Sequence, residues 1–212
     1  MQSKIIRSRV FIFSLALFLG GCAKTQLSNI NVIDITGLAK PNHILILPFT
    51  GNDQTVVISS ANKKDKIIQD INVALADKLT EKIKAIDLMP MEVTPDKQPA
   101  IGDIIISGHW TKIEEGNPLI QQVIGLGFGQ TVTESKVSIL TTGIDGRTQE
   151  IINFSAHADS GYMPGKGPAG FIINAVKGHK SVVAGQASEI ADKITSELST
   201  YFAKQGWIKA PK

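Results

Sequence analysis

The chain has 212 residues, and its formal charge of +3 comes from the first ten positions, where Lys4, Arg7 and Arg9 stand without an acid. From residue 22 onward, 19 basic residues (22 less those three) balance 19 acidic ones. Nothing in that balance predicts a nucleic-acid partner, which would want a clustered basic face. Cys22 is the single cysteine, so no internal disulfide forms, and about 190 residues, enough for one domain with its own core, must hold by packing alone.

Residues 10–19 are apolar, with Phe11, Ile12, Phe13, Leu15, Leu17 and Phe18. The run is roughly half the ~20 residues that span a bilayer. Its basic flank and the small residues after it make residues 1–21 a signal peptide. The ending Leu19-Gly20-Gly21-Cys22 resembles the bacterial lipobox. That resemblance implies a lipoprotein: a diacylglycerol thioether on Cys22, cleavage before it, and an acyl chain such as palmitate on the new amine. One acyl chain holds weakly and two or more hold stably, so Cys22 is the expected lipid attachment site and the membrane an expected partner. Ala23 stands where enteric-type bacteria use Asp to retain lipoproteins at the inner membrane. It implies the periplasmic side of the cell outer membrane.

Residues 22–42 read as the acylated cysteine and a polar tether, closing with Lys40-Pro41-Asn42. Within it, 31–35 alternates Val32, Ile33 and Ile35 with polar residues, as a short edge strand does. A single periplasmic domain follows over 43–212. Residues 43–49 (HILILPF) are a continuous apolar run, the pattern of a strand covered on both faces, ended by Pro48. A helix is predicted from an N-cap at Ser59 or Ser60 to about Ile86, with Ile67, Ile71, Leu75, Leu79, Ile83 and Ile86 on one stripe. Residues 88–93 are a weak strand broken by Pro90, and 103–113 (DIIISGHWTKI) a strong one. Asn117 and Pro118 open a short helix that Gly125, Gly127 and Gly129 stop. Residues 130–142 and 148–159 flank Asp145-Gly146, which is a hairpin signal. Residues 160–170, with four glycines and two prolines, read as a loop, and 171–176 as a short helix or membrane-facing turn. A second long helix is expected over 180–204, with Val183, Ala187, Ile190, Ala191, Ile194, Leu198, Tyr201 and Phe202 on its stripe. This order predicts an α/β fold. It is a two-layer sandwich, with a mixed sheet of four or five strands and both long helices on one face.

Lys40-Pro41 leading into HILILPF, then DIIISGHWTKIEEGN, then VIGLGFGQTVTESKVSILTTGIDG, resemble a family of uncharacterised bacterial lipoproteins, a domain of unknown function. Its marks are a Gly-Asn turn, a Gly-x-Gly-x-Gly segment and an Asp-Gly hairpin. The resemblance implies no known reaction. Gln121-Gln122 departs from it where a basic residue is expected, which weakens any anionic-ligand site there. More loosely, the element order is similar to periplasmic domains of envelope transport and curli-secretion lipoproteins, but fold does not imply function.

Candidate chemistry is sparse. Gly125-x-Gly127-x-Gly129 has the wrong spacing for a dinucleotide fingerprint, and a strand follows where a helix should. Gly161 to Lys166 is one residue short of a phosphate loop, with Gly167 where Ser or Thr would bind Mg²⁺. Ser60 and Lys63 match SxxK without its partner motifs. His109, His157 and Asp159 lie on neighbouring strands and could meet a zinc ion, although hydrogen-bonded strand histidines are the commoner outcome. No catalytic residue, metal or cofactor is therefore expected. The glycine-rich stretch 161–185 reads as a flexible loop that contacts a partner or the membrane, with Gly161, Gly165, Lys166, Gly167 and Gly170 as the candidate partner contacts, because long loops in compact domains are often functional. The expectation is a non-enzymatic binding or assembly accessory in the cell envelope, with an envelope protein as partner. The alternatives are a subunit of an envelope transport or secretion complex, and a metal-dependent periplasmic enzyme.

Overall fold

The computed structural model describes residues 25–33, 35, 38–52, 54–57, 64–86, 88–92, 99–114, 131–159 and 168–209; of 168–184 it describes the backbone alone. In chain order the elements are β1 (Gln26–Val32), β2 (Ile44–Ile46), β3 (Val56–Val57), α1 (Lys64–Ala85), β4 (Pro90–Glu92), β5 (Ile104–Glu114), β6 (Val132–Thr142), β7 (Thr148–Asp159) and α2 (Pro168–Lys204). The strands form one mixed sheet in the order β1-β7-β6-β5-β2-β4, with β3 also beside β5. The β2–α1–β4 crossover joins parallel strands, which a short turn cannot do. β5, β6, β7 and β1 are antiparallel neighbours. A tight turn suffices between β6 and β7: Gly143 N donates to Arg147 O (2.8 Å), and Gly146 takes φ 75°, a conformation glycine adopts without a Cβ penalty.

One sheet face carries the core. Across β5, β6 and β7 the aligned rows Ile106–Ile139–Ile152, Gly108–Val137–Phe154 and Trp110–Ser135–Ala156 all point to it. The stripes of α1 (Ile71, Leu75, Leu79, Ile83) and α2 (Ala187, Ile190, Ala191, Ile194, Leu198, Phe202) join the same cluster. The helices pack side by side, with Lys82 of α1 paired to Asp192 of α2. At roughly 1.5–3 kcal/mol per fully buried aliphatic side chain, the four α1 residues alone contribute about 6–12 kcal/mol, an upper bound set against an extended unfolded chain.

Two bulges break the alternation. Trp110 pairs with Ser135 and Lys112 with Glu134, leaving Thr111 as the extra residue. The bulge lets Trp110 and Ile113 both reach the core while Lys112 faces outward. Likewise Ile139 pairs with Ile152 and Leu140 with Glu150, so Ile151 is extra and two consecutive isoleucines are buried.

Four expectations need correction. Among the described residues the sheet has seven strands, not the four or five of the sequence expectation. The additional ones are β3, too short to show a period of two, and β1, whose polar residues 26–30 precede the edge-strand pattern of 31–35. β1 lies inside the stretch read as a tether and pairs along β7. Its polar residues suit an edge whose outer face is solvated, and Asn29 at φ 54°, beside a register shift between Ser28 and Asn31, kinks that edge. The second long helix begins at Pro168 and not at 180, and runs for 37 residues. Gly170, read as a loop residue, is therefore in its first turn. Proline is well tolerated there, and a single glycine costs a helix about 1 kcal/mol without stopping it. The Ser59/Ser60 cap and the short helix from Asn117 lie outside the described residues.

Candidate functional site

The structure offers three regions to weigh: the open sheet face, a groove beside α1, and the end of the sandwich where the chain enters.

The face away from the helices is mostly polar. Its rows, read across β5, β6, β7 and β1, are Ser107–Ser138–Asn153–Asn31, His109–Lys136–Ser155–Ser28 and Lys112–Glu134–His157–Gln26. Leu45 and Ile105, at its β2 corner, are buried outside the main core. His157 sits between two carboxylates, with Nδ1 3.2 Å from Glu134 and Nε2 3.4 Å from Asp159. Lys112 is 2.8 Å from Glu114, and that hydrogen bond raises its pKa above the ordinary lysine value. His109 is on the same face, but its Nδ1 is 3.0 Å from Thr50 Oγ1 at the opposite edge of β5, and β6 with Lys136 separates it from His157. The predicted trio of His109, His157 and Asp159 is thus only half assembled. Among the described residues no group of three or more His, Cys, Asp or Glu is placed to hold a metal.

A groove of about 690 Å³ runs between α1 and the segment after β2. Ile46, Pro48, Gly51, Ile68, Val73 and Ala76 give it an apolar lining, with Asp65 and Asp77 also on its wall. At its base Asn72 acts as a polar pin. Its Oδ1 accepts from Trp110 Nε1–H (2.9 Å) and from Phe49 N–H (3.2 Å), and its Nδ2 donates to Phe49 O (2.8 Å). The Phe49 ring lies over Gly108 and 5.1 Å from the Trp110 ring; a Cβ on Gly108 would fall 2.4 Å from Phe49 Cε2. The glycine in SGHW is therefore a packing requirement. Asn72 carried no sequence signal beyond a polar residue beside an apolar stripe, and only its partners 23 and 38 positions away reveal the role.

At the entry end, Thr25 Oγ1 donates to Glu189 Oε2 of α2, and Gln26 pairs with His157 near the end of β7. A second pin closes the same end. Gln186, 3 % exposed, donates Nε2–H to Thr131 O (2.8 Å) and accepts from Thr133 Oγ1 (2.6 Å). Of the predicted site residues, Cys22, Gly161, Gly165, Lys166 and Gly167 lie outside the described residues, as do the 125–129 glycines, Ser60 and Lys63. Gly170 lies on α2, beyond this end of the sheet.

These features define a class: a two-layer mixed α/β domain, helices on one sheet face and a polar sheet on the other, entered through an edge strand. The chain belongs to the family described as Domain of unknown function (DUF4410), whose model matches residues 18–175. A search of the curated proteins found no significant match. Among solved structures, the chain is similar to the PelC dodecamer from Paraburkholderia phytofirmans at TM-score 0.40 and 9% identity, over 79% of this chain and 96% of that one. A leucine-to-methionine variant of PelC from the same organism matches at TM-score 0.40 and 11% identity, over 79% and 93%. Likeness of this degree carries no inference about activity or assembly.

Proposed function

We propose that this protein is a lipoprotein anchored through Cys22 in the outer membrane, on its periplasmic side, and acting as a non-enzymatic binding or assembly accessory. The observation that carries the reading is the length of the link. Only Ala23 and Lys24 separate Cys22 from Thr25, which is fastened to α2 and leads directly into β1. Three residue steps span at most about 11 Å, so an acylated Cys22 holds the folded body against the bilayer. A polar sheet face without a helical cover among the described residues supports a docking role, since its serines, His109 and Lys136 can pair with another protein's surface.

In-cell photocrosslinking from positions 136 and 155 tests the accessory role. Repeated recovery of one envelope protein, lost when the probe is moved to α1, is the expected result. Recovery of no reproducible partner contradicts it. A second reading, a subunit of an envelope transport complex, is favoured by Ile30, Val32 and Ile33, which are 42–47 % exposed along the β1 edge. It requires a large assembly in detergent, and a clean monomer counts against it.

A further inference from the structure

The two pins fix where α2 stands relative to the sheet. Gln186 meets Thr131 and Ala158, one row from the sheet's end at Asp159. From there the helix runs back along the strands until Gln205, just past its last turn, reaches Ile35 O beyond the far end of β1. The 18 positions from Pro168 to Gln186 therefore carry α2 about 27 Å past the sheet, at 1.5 Å per residue. Thr25 enters at this same end, bonded to Glu189 one helical turn from Gln186.

On the lipid-anchor reading, on which this inference rests, the projection of about 27 Å is longer than the link of about 11 Å between Cys22 and Thr25. Helix and anchor leave from one end, which brings the helix within reach of the bilayer. The composition suits that contact. From Pro168 to Ser188 there is no Asp or Glu, while Lys177 and Lys180 are present among Phe171, Ile172, Ile173, Val176, Val182 and Val183. A helical stretch of 17 residues, 168–184, covers only about 25 Å, short of the ~30 Å hydrocarbon core, and it contains two lysines. It is suited to lying on a membrane and not to crossing one. We infer that the first half of α2, residues 168–184, is a second membrane contact that docks on an anionic phospholipid surface beside the acylated Cys22. Acyl chains and a basic helix rich in apolar residues together would fix the orientation of the domain, turning β3, the β7 carboxyl end and the start of β1 toward the membrane.

The test uses the acyl-free chain 23–212, which retains the whole described core, since that core draws on no residue before Leu27. Flotation is measured with vesicles of phosphatidylethanolamine and phosphatidylglycerol in equal parts, and with phosphatidylcholine alone. Flotation with the anionic vesicles only is expected. Each lysine near such a surface supplies roughly fivefold in binding, so K177Q/K180Q should bind about thirtyfold more weakly with unchanged circular dichroism, while K204Q/K209Q, at and just past the other end of α2, binds as wild type. Absence of anionic-vesicle binding, equal binding to both vesicles, or indifference to K177Q/K180Q overturns the inference. So does a photocrosslinker at position 176 of the full chain that traps an envelope protein and no phospholipid. Palmitate labelling separates the premises. A labelled full chain whose acyl-free form ignores anionic vesicles overturns the surface and keeps the anchor. An unlabelled chain whose acyl-free form binds them overturns the anchor and keeps the surface.

Discussion

Asn72→Ala is the most informative single perturbation of the fold. Asn72 is the only described α1 side chain bonded to both the Phe49 backbone and Trp110, and Trp110 is fully buried. The substitution removes three hydrogen bonds, each worth about 1 kcal/mol net. It also leaves the indole N–H of Trp110 facing the core side of α1, where water reaches it only by entering the groove; an orphaned buried donor costs roughly 1–3 kcal/mol. These two costs overlap, so a loss of about 3–4 kcal/mol is expected. For a chain of this size 1 kcal/mol moves the midpoint by about 2–4 °C, which predicts a fall of about 6–16 °C. Thermal and urea unfolding followed by circular dichroism measure it. Asn72→Leu restores side-chain volume without polar atoms and should lose as much. A loss below about 1 kcal/mol in Asn72→Ala, or recovery in Asn72→Leu, would refute the claim that hydrogen bonding to Phe49 and Trp110 is what fixes the β2–β3 segment.

Gly108→Ala places a methyl where the Phe49 ring lies, 2.4–2.6 Å from three ring atoms. Phe49 is 2 % exposed and packed on Trp110, so overpacking of about 1–3 kcal/mol is expected in urea unfolding, and a neutral effect would contradict the packing described. Gln186→Leu removes the acceptor of the fully buried Thr133 hydroxyl and the donor to Thr131 O. It should cost about 2–3 kcal/mol, and hydrogen exchange should report the loss first at the entry end of β6 and β7.

Much of the fold was legible because local pattern and tertiary role agree there. The hairpin strands were predicted at 130–142 and 148–159 and run Val132–Thr142 and Thr148–Asp159. Alternation, a glycine turn and strand length all point the same way. The α1 stripe from Ile71 to Ile83 faces the core as its spacing requires. What escaped depends on partners far away in sequence. β3 is two valines whose strand character exists only through Ile113 and Glu114. β1 reads as a polar linker until β7 supplies its hydrogen bonds. The start of α2 reads as a loop and then a short helix or turn because its glycines match a helix stop locally, whereas in the long helix each is only a cost. Asn72 and Gln186 are polar residues beside apolar stripes, and no spacing rule distinguishes a buried pin from a solvated side chain. Of the candidate site, the resemblance of Leu19-Gly20-Gly21-Cys22 to a lipobox is legible as a motif, whereas the short distance from Cys22 to the folded body is not.

The most direct measurement is metabolic labelling with palmitate, combined with separation of inner and outer membranes, for the wild-type chain and Cys22→Ala expressed in a bacterium with the lipoprotein pathway. The account predicts a labelled wild-type protein in the outer-membrane fraction, and a Cys22→Ala protein that is unlabelled and depleted from that fraction. An unlabelled wild-type protein, or label that persists without Cys22, would contradict it.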